Sequence, residues 1–256
     1  MKESDIVLSC RGLSVGYHKK EILSDMDFDF PVGTMTVLIG ANGSGKSTLL
    51  RTLAGQQRAL AGAIVLDGRP LVEYNKAQLA RSRAIVSTVR DGGGGPTVEE
   101  TVAVGRYAFT GWTGMLSAED RKIVAESMDV LGIGQFRNRY LASLSDGERQ
   151  KVMVARALAQ QTSLIILDEP TAFLDVAARI EIMRVLRRLA ERGRTIILST
   201  HDIAPAVSQA DMILAVDADK RTAVLNPKDK MIESGLLNDV FARAGLHFDV
   251  AALDFR

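Results

Sequence analysis

Residues 34–50 read TMTVLIGANGSGKSTLL, and this stretch constrains the fold more than any other. An apolar run at 36–39 leads into Gly40, Asn42, Gly43, Ser44, Gly45, Lys46, Ser47 and Thr48, and then into the helix-formers Leu49 and Leu50. The spacing G-x-x-x-x-G-K-[ST], between a buried-type strand and a helix start, is that of a phosphate-binding loop. Each residue type has a physical reason. Gly43 and Gly45 let the backbone fold around an anion with its N–H groups pointing inward, where a Cβ would obstruct. The helix that follows turns its positive dipole end to the phosphates. Lys46 offers an ammonium to β- and γ-phosphates, and the Ser47 hydroxyl can ligate Mg²⁺. Alone, so short a pattern points to a nucleotide triphosphatase and goes no further.

The 256 residues are enough for one large α/β domain, or one domain with a sizeable insertion. With 32 basic against 31 acidic residues and a formal charge of +1, nothing global draws the chain to nucleic acid. The single cysteine, Cys10, excludes an intramolecular disulfide and suits a reducing compartment. The opening MKESDIVLSCRG lacks the apolar core of a signal peptide. No apolar run approaches the ~20 residues that span a bilayer. The expectation is a cytosolic chain whose membrane role, if it has one, needs a partner.

Residues 6–30 read as β-rich. Met26, Phe28 and Phe30 alternate with Asp25, Asp27 and Asp29, the period of a half-buried antiparallel strand. His18, Lys19 and Lys20 mark the turn before it. Tyr17, ahead of that turn, is either a half-buried strand-end aromatic or a ring that stacks on adenine, and the residues leave both open. Residues 61–68 form a short strand closed by an Asp-Gly turn, and 71–83 have mixed helical character. The four glycines at 92–95, followed by Pro96, cannot hold regular structure. Thr97 with Glu100 is a capping box, and Ser117 starts another capped helix with acids in its first turn. Residues 98–160 thus read as a helical insertion in an α/β frame. Strand–helix alternation then resumes. Residues 164–170 form a buried strand. Residues 177–192 form a helix with Ile180, Met183, Leu186 and Leu189 on its apolar face and Arg184, Arg187, Arg188 and Arg192 on a solvated one. Residues 195–202 and 212–216 supply two more strands. The last thirty residues carry no legible chemical motif.

The strand at 164–169 delivers Asp168 and Glu169 at its C-terminal end, the edge of an open parallel sheet where ligands bind and where the phosphate loop also lies. Asp168 is then placed to hold Mg²⁺ through water, and Glu169 to orient and deprotonate an attacking water. Without the phosphate loop, two acids capping the turn at Pro170 would be explanation enough. His201 follows the strand TIILST (195–200) on the same edge, beside the γ-phosphate. The run Leu144-Ser145-Asp146-Gly147-Glu148-Arg149-Gln150 precedes a helical stretch. Ser145 and Glu148 form a capping box there, and Gly147 allows an anion close to the backbone.

Local capping does not explain why GANGSGKST, LSDGERQ, LIILDEP, TAFLD and STHD occur together in this order. Over about residues 5–220 the chain resembles the ATP-binding subunits of ABC transporters. GRYAFTGW, LSAEDRKIV, EPTAFLD and GLHFDV look closest to subunits that drive bacterial import of ferric siderophores, haem or cobalamin. The resemblance implies an α/β fold: a RecA-like P-loop NTPase core (1–88 and 161–256) with an antiparallel β subdomain, and an α-helical subdomain at 89–160. It implies ATP and Mg²⁺, a head-to-tail homodimer, integral-membrane permease subunits, an upstream substrate-binding protein, no nucleic-acid partner, and a peripheral place on the cytoplasmic face of the inner membrane. Position by position, Tyr17 matches the adenine-stacking aromatic. The loop from Gly40 to Thr48 matches the phosphate cradle, and Ser47 and Asp168 the metal ligands. Lys46, Glu169 and His201 match the catalytic groups. Ser145 and Gly147 match the signature that reaches the γ-phosphate of ATP on the other subunit, and Asp175 the loop that crosses the dimer interface. Three positions depart: Asp146 stands where glycine is usual, Glu148 where glutamine is usual, and Thr88 where a metal- and water-contacting glutamine is expected. With Thr88 short, the loop at 89–96 is expected to be mobile in the free subunit and ordered by docking on the permease. An exporter subunit, or an ABC ATPase acting on DNA or ribosomes, is the alternative. The latter commonly has two cassettes or a long coiled-coil insertion, and this chain has neither.

Overall fold

The aspartate–apolar alternation builds the second strand of a hairpin in the computed structural model, which describes residues 5–18, 20–87, 95–111, 114–172, 174–241, 248–249 and 254–255. Strands β1 (Ile6–Tyr17) and β2 (Lys20–Pro31) pair antiparallel, with Leu8 opposite Phe30 and Cys10 opposite Phe28. Met26, Phe28 and Phe30 are buried, and the alternating Asp25, Asp27 and Asp29 are exposed. Burial pushes the Cys10 thiol up to about 12, so it is inert at neutral pH.

The chain leaves the hairpin through β3 (Met35–Gly40), turns at the phosphate loop and enters helix α1 (Lys46–Leu53). It returns through β4 (Ala61–Leu66) and β5 (Arg69–Pro70), completing a four-stranded antiparallel sheet of order β2-β1-β4-β5. Asp67 and Gly68, both at positive φ (47° and 74°), make the tight Asp-Gly turn between them. Helix α2 (Lys76–Ser82) leads into β6 (Arg83–Ser87). Between Gly95 and Ala159 the described residues form helices: α3 (Val98–Ala103), α4 (Ala118–Val130) and α5 (Asp146–Ala159), with short 3₁₀ turns. Strand β7 (Leu164–Asp168), helix α6 (Val176–Glu191), strand β8 (Thr195–Ser199), helix α7 (Ile203–Gln209) and strands β9 (Met212–Asp217) and β10 (Thr222–Pro227) follow. Helices α8 (Lys228–Glu233) and α9 (Leu236–Phe241) and a small pair, β11 (Phe248–Asp249) with β12 (Asp254–Phe255), close the described chain.

A second sheet has the order β10-β9-β3-β8-β7-β6, parallel except for β10. Covered on both faces, its inner strands are continuous apolar runs rather than alternating ones. Leu38, Ile166, Ile197 and Leu214 face a core that includes the antiparallel sheet and Leu49, Leu50 and Leu53 of α1. Val37, Ile39, Leu167 and Leu198 face the opposite core, with α6, α7 and the inserted helices. Truncating a residue such as Leu49 there costs about 2–5 kcal/mol.

The expected capping boxes form at Thr97/Glu100 and Ser145/Glu148, and the expected cap at Ser117 is also a box, closed by Asp120. The inserted helices are locked by a buried pair: Arg106 Nε donates to Asp120 Oδ1 at 2.8 Å, and its Nη1 to the Ala159 carbonyl at 2.8 Å. One expectation needs correction. Ile180 is 38% exposed, and the buried face of α6 is Ile182, Met183, Val185, Leu186, Leu189 and Ala190. The buried stripe runs back from Ile182 to Ala178, four residues earlier, and Ile180 lies outside it. Helix α7 and strand β10 were not anticipated. Thr88 and the glycines at 92–94 lie outside the described residues. Among the described residues no helix is long and apolar enough to cross a membrane.

Candidate functional site at the C-terminal edge of the parallel sheet

Register places four strand ends together. Leu38 of β3 pairs with Ser199 of β8, Ser199 with Asp168 of β7, and Asp168 with Ser87 of β6. The turn after β3 therefore opens beside the acids after β7. At Gly45 the backbone has φ 105°, and a Cβ would lie 2.8 Å from Ile22 Cγ2. At Gly43 φ is 76° and a Cβ would meet nothing within 4 Å, so backbone conformation and not the expected obstruction by protein atoms calls for glycine there. Only glycine takes both conformations without strain. Asn42 and Gly43 are exposed at the tip. Lys46 is buried, and its Nζ donates to the carbonyls of Gly40 (2.8 Å) and Ala41 (3.0 Å). Burial lowers its pKa, while Glu169 and Asp168 oppose that shift. The Ser44 hydroxyl is buried in the loop and has no hydrogen-bond partner among the described residues.

The acids sit across from Lys46. Ser47 Oγ donates to Asp168 Oδ1 at 3.2 Å. His201 Nε2 lies 2.6 Å from Glu169 Oε1. Glu169 itself has φ 53°, a left-handed conformation that costs a non-glycine residue on the order of 1–3 kcal/mol. Tyr17 is 40% exposed at the end of β1, its hydroxyl accepting from Thr48 Oγ1 (3.2 Å) and Arg51 Nη1 (3.3 Å). Its ring thus stands beside the start of α1.

Ser145, Gly147 and Asp175 occupy a different place. Ser145 is exposed and caps α5: its backbone N–H donates to Glu148 Oε2 at 2.8 Å. Asp175 is exposed and caps α6, accepting from the Ala178 N–H at 2.8 Å. A Cβ on Gly147 would lie 3.3 Å from Ala178 Cβ, and Lys151 Nζ meets Glu181 Oε2 at 2.7 Å. The first turns of α5 and α6 are thereby packed side by side. No hydrogen bond among the described residues joins them to the phosphate loop.

The family model described as ABC transporter matches residues 23–172, from the hairpin through both acids. The chain belongs to the ABC transporter ATPases.

Two curated relatives agree over most of their length. The chain is 37% identical to the achromobactin transport ATP-binding protein CbrD of Dickeya dadantii, covering 91% of this chain and 87% of that one. It is 38% identical to the iron(3+)-hydroxamate import ATP-binding protein FhuC of Bacillus subtilis, covering 82% and 78%. CbiO1 of Clostridium perfringens, part of the ABC transporter complex CbiONQ, superposes with a TM-score of 0.77 at 27% identity, covering 93% of this chain and 96% of that chain. The RecA-like core, antiparallel β subdomain and helical subdomain of an ABC ATPase are all present, and this chain binds nucleotide and hydrolyses ATP.

The donor set of this ABC ATPase fits its ligands. An orphaned buried hydroxyl (Ser44), a buried ammonium and two glycines at positive φ suit a polyphosphate. Two adjacent hard oxygen donors, Ser47 Oγ and Asp168, suit Mg²⁺. One residue at the centre was not assigned from the sequence. Ser199, fully buried, donates to Asp168 Oδ1 at 2.7 Å and accepts from the Glu169 N–H at 3.0 Å, so it holds both acids. Its signal was in STHD, two residues before His201.

Proposed function

We propose that this ABC ATPase energises a transmembrane permease that imports a ferric siderophore, with haem or cobalamin the neighbouring substrate classes. One observation carries the chemistry: the phosphate loop and the acids after β7 meet, Ser47 to Asp168 at 3.2 Å and Glu169 to His201 at 2.6 Å. The names of CbrD and FhuC support the import assignment.

In this reading the N–H groups of the loop from Gly40 to Thr48 cradle the phosphates, and the Tyr17 ring stacks on adenine. Ser47, and Asp168 through water, hold Mg²⁺, which when bound neutralises charge on the β- and γ-phosphates. Thr88 would complete that set, as the usual glutamine does. The Glu169 carboxylate takes a proton from water as the water oxygen bonds to the γ-phosphorus. The bond to the bridging oxygen breaks, and ADP leaves with that electron pair. Lys46 and His201 stabilise the charge that develops on the γ-phosphoryl. Ser145 and Gly147 complete the site of the partner in a head-to-tail homodimer, with Asp175 at the interface. The same reading assigns residues 1–88 and 161–256 to the core, residues 89–160 to the helical subdomain, and the assembly to the cytoplasmic face of the inner membrane, fed by a substrate-binding protein.

Deleting the gene and measuring uptake of radiolabelled ferric hydroxamate, haem and cobalamin tests the assignment. Loss of ferric-siderophore uptake, restored by the wild-type gene and not by Glu169→Gln, is expected. Unchanged uptake of all three would overturn it.

A further inference from the structure

We infer that Arg179 is a positioning residue that yokes the segment ending at Asp175 to the segment carrying His201. Arg179 lies in the first turn of α6. Its Nε donates to the carbonyl of Leu174 at 2.8 Å, and its Nη1 to Asp202 Oδ2 at 3.2 Å. Leu174 is buried and immediately precedes Asp175, and Asp202 immediately follows His201. A guanidinium is one rigid plane, so its two bonds fix the spacing of the two segments, as a flexible ammonium could not. A second tie runs parallel to it. Thr171 Oγ1 and Thr200 Oγ1, both buried, are 3.4 Å apart, and Thr200 Oγ1 accepts from the Asp202 N–H at 3.0 Å. Between the ties lies a cavity of about 160 Å³, with Glu169 and His201 in its wall. Arg179 closes that wall from the side of Asp175.

The consequence rests on the functional reading above, in which Asp175 lies at the dimer interface and His201 faces this chain's own nucleotide. One guanidinium then makes the placement of the two interdependent. Arg179 touches neither the phosphate loop nor Tyr17 in the described contacts, so its loss should spare ATP binding and slow turnover. Misplacing a reacting group by about 1 Å is enough for losses of ten- to a hundredfold.

The test compares the wild type with Arg179→Ala, Asp202→Ala, the double variant and Arg179→Lys. For each, kcat, KM and the ATP dissociation constant are measured, and thermal midpoints check the fold. Each alanine variant is expected to lower kcat about tenfold with the ATP dissociation constant within about twofold of wild type. The double variant should lose no more than the worse single, because both remove one contact. Arg179→Lys, which can still meet Asp202 but cannot fork to Leu174, should recover part of the loss without recovering all. Additive losses, or an Arg179→Ala variant that matches wild type, would overturn the yoke alone. A wild-type chain that neither binds nor hydrolyses ATP would overturn the functional reading and this inference with it.

Discussion

Lys46 and Ser199 show how much of the site rests on single buried groups. Lys46 is held by two carbonyls of its own loop, with its pKa lowered by burial. Lys46→Ala removes the loop's cation, and ATP hydrolysis is expected to fall to background, measured as phosphate release at saturating ATP. A variant retaining a tenth of wild-type activity would mean that the ammonium lies elsewhere. Ser199→Ala does something different. It leaves the Glu169 N–H, at a positive φ, without the hydroxyl it donates to. A buried donor left unpaired costs about 1–3 kcal/mol, read as a lowered urea midpoint at unchanged slope. Activity should fall with it, because Asp168 loses the same hydroxyl. Lys46 was legible from spacing alone. Ser199 was not, because its role depends on two strands lying next to each other in space.

Helix starts are the elements that local sequence writes most plainly. A capping box closes within four residues, so Thr97/Glu100, Ser117/Asp120 and Ser145/Glu148 need no tertiary help. Asp120 then acquires a second role that its cap does not announce. The Ser117 hydroxyl and next the Arg106 guanidinium hold its carboxyl down, from an ordinary 3.8 to about 2. A depressed folded-state pKa gives stability that is present above 3.8 and is lost as pH falls toward 2. In Asp120→Asn the urea midpoint should therefore be lower at pH 7 and fall less steeply between about pH 4 and pH 2. A slope equal to wild type would show that the pair contributes nothing to acid stability. Removing Arg106 instead leaves a buried carboxylate without its cation and costs about 3 kcal/mol or more. The face that α6 buries could not be read the same way. Periodicity named Ile180, but the face that meets the core passes through Ala178 and Ile182 and leaves Ile180 exposed.

At the scale of the whole molecule, the proposed signature pair Ser145 and Gly147 and the capping Asp175 are exposed or half-exposed, away from this chain's own loop. In the proposed head-to-tail dimer, Ser145 and Gly147 act on the nucleotide of the other copy. Glu169→Gln keeps the shape and removes the base, so ATP should bind and persist, and size-exclusion chromatography should show a dimer with ATP and a monomer without it. A variant that stays monomeric at saturating ATP would contradict the trans-acting signature. What the amino-acid order determined by itself was everything set by neighbours in the chain: the phosphate loop, the acids at a strand end, the capped helices and the β2 alternation. These depend on backbone geometry within a few residues, and an α/β architecture follows from their sequence along the chain. Tertiary structure decided the rest. It set the strand order β10-β9-β3-β8-β7-β6, which brings residues 47, 168, 199 and 201 to one edge. It paired Arg106 with Asp120 and set Arg179 between Leu174 and Asp202. The strand order and the Arg179–Asp202 bond join separate elements through burial and register, and even the shorter-range bonds of Arg106 and Arg179 depend on packing that no local pattern encodes.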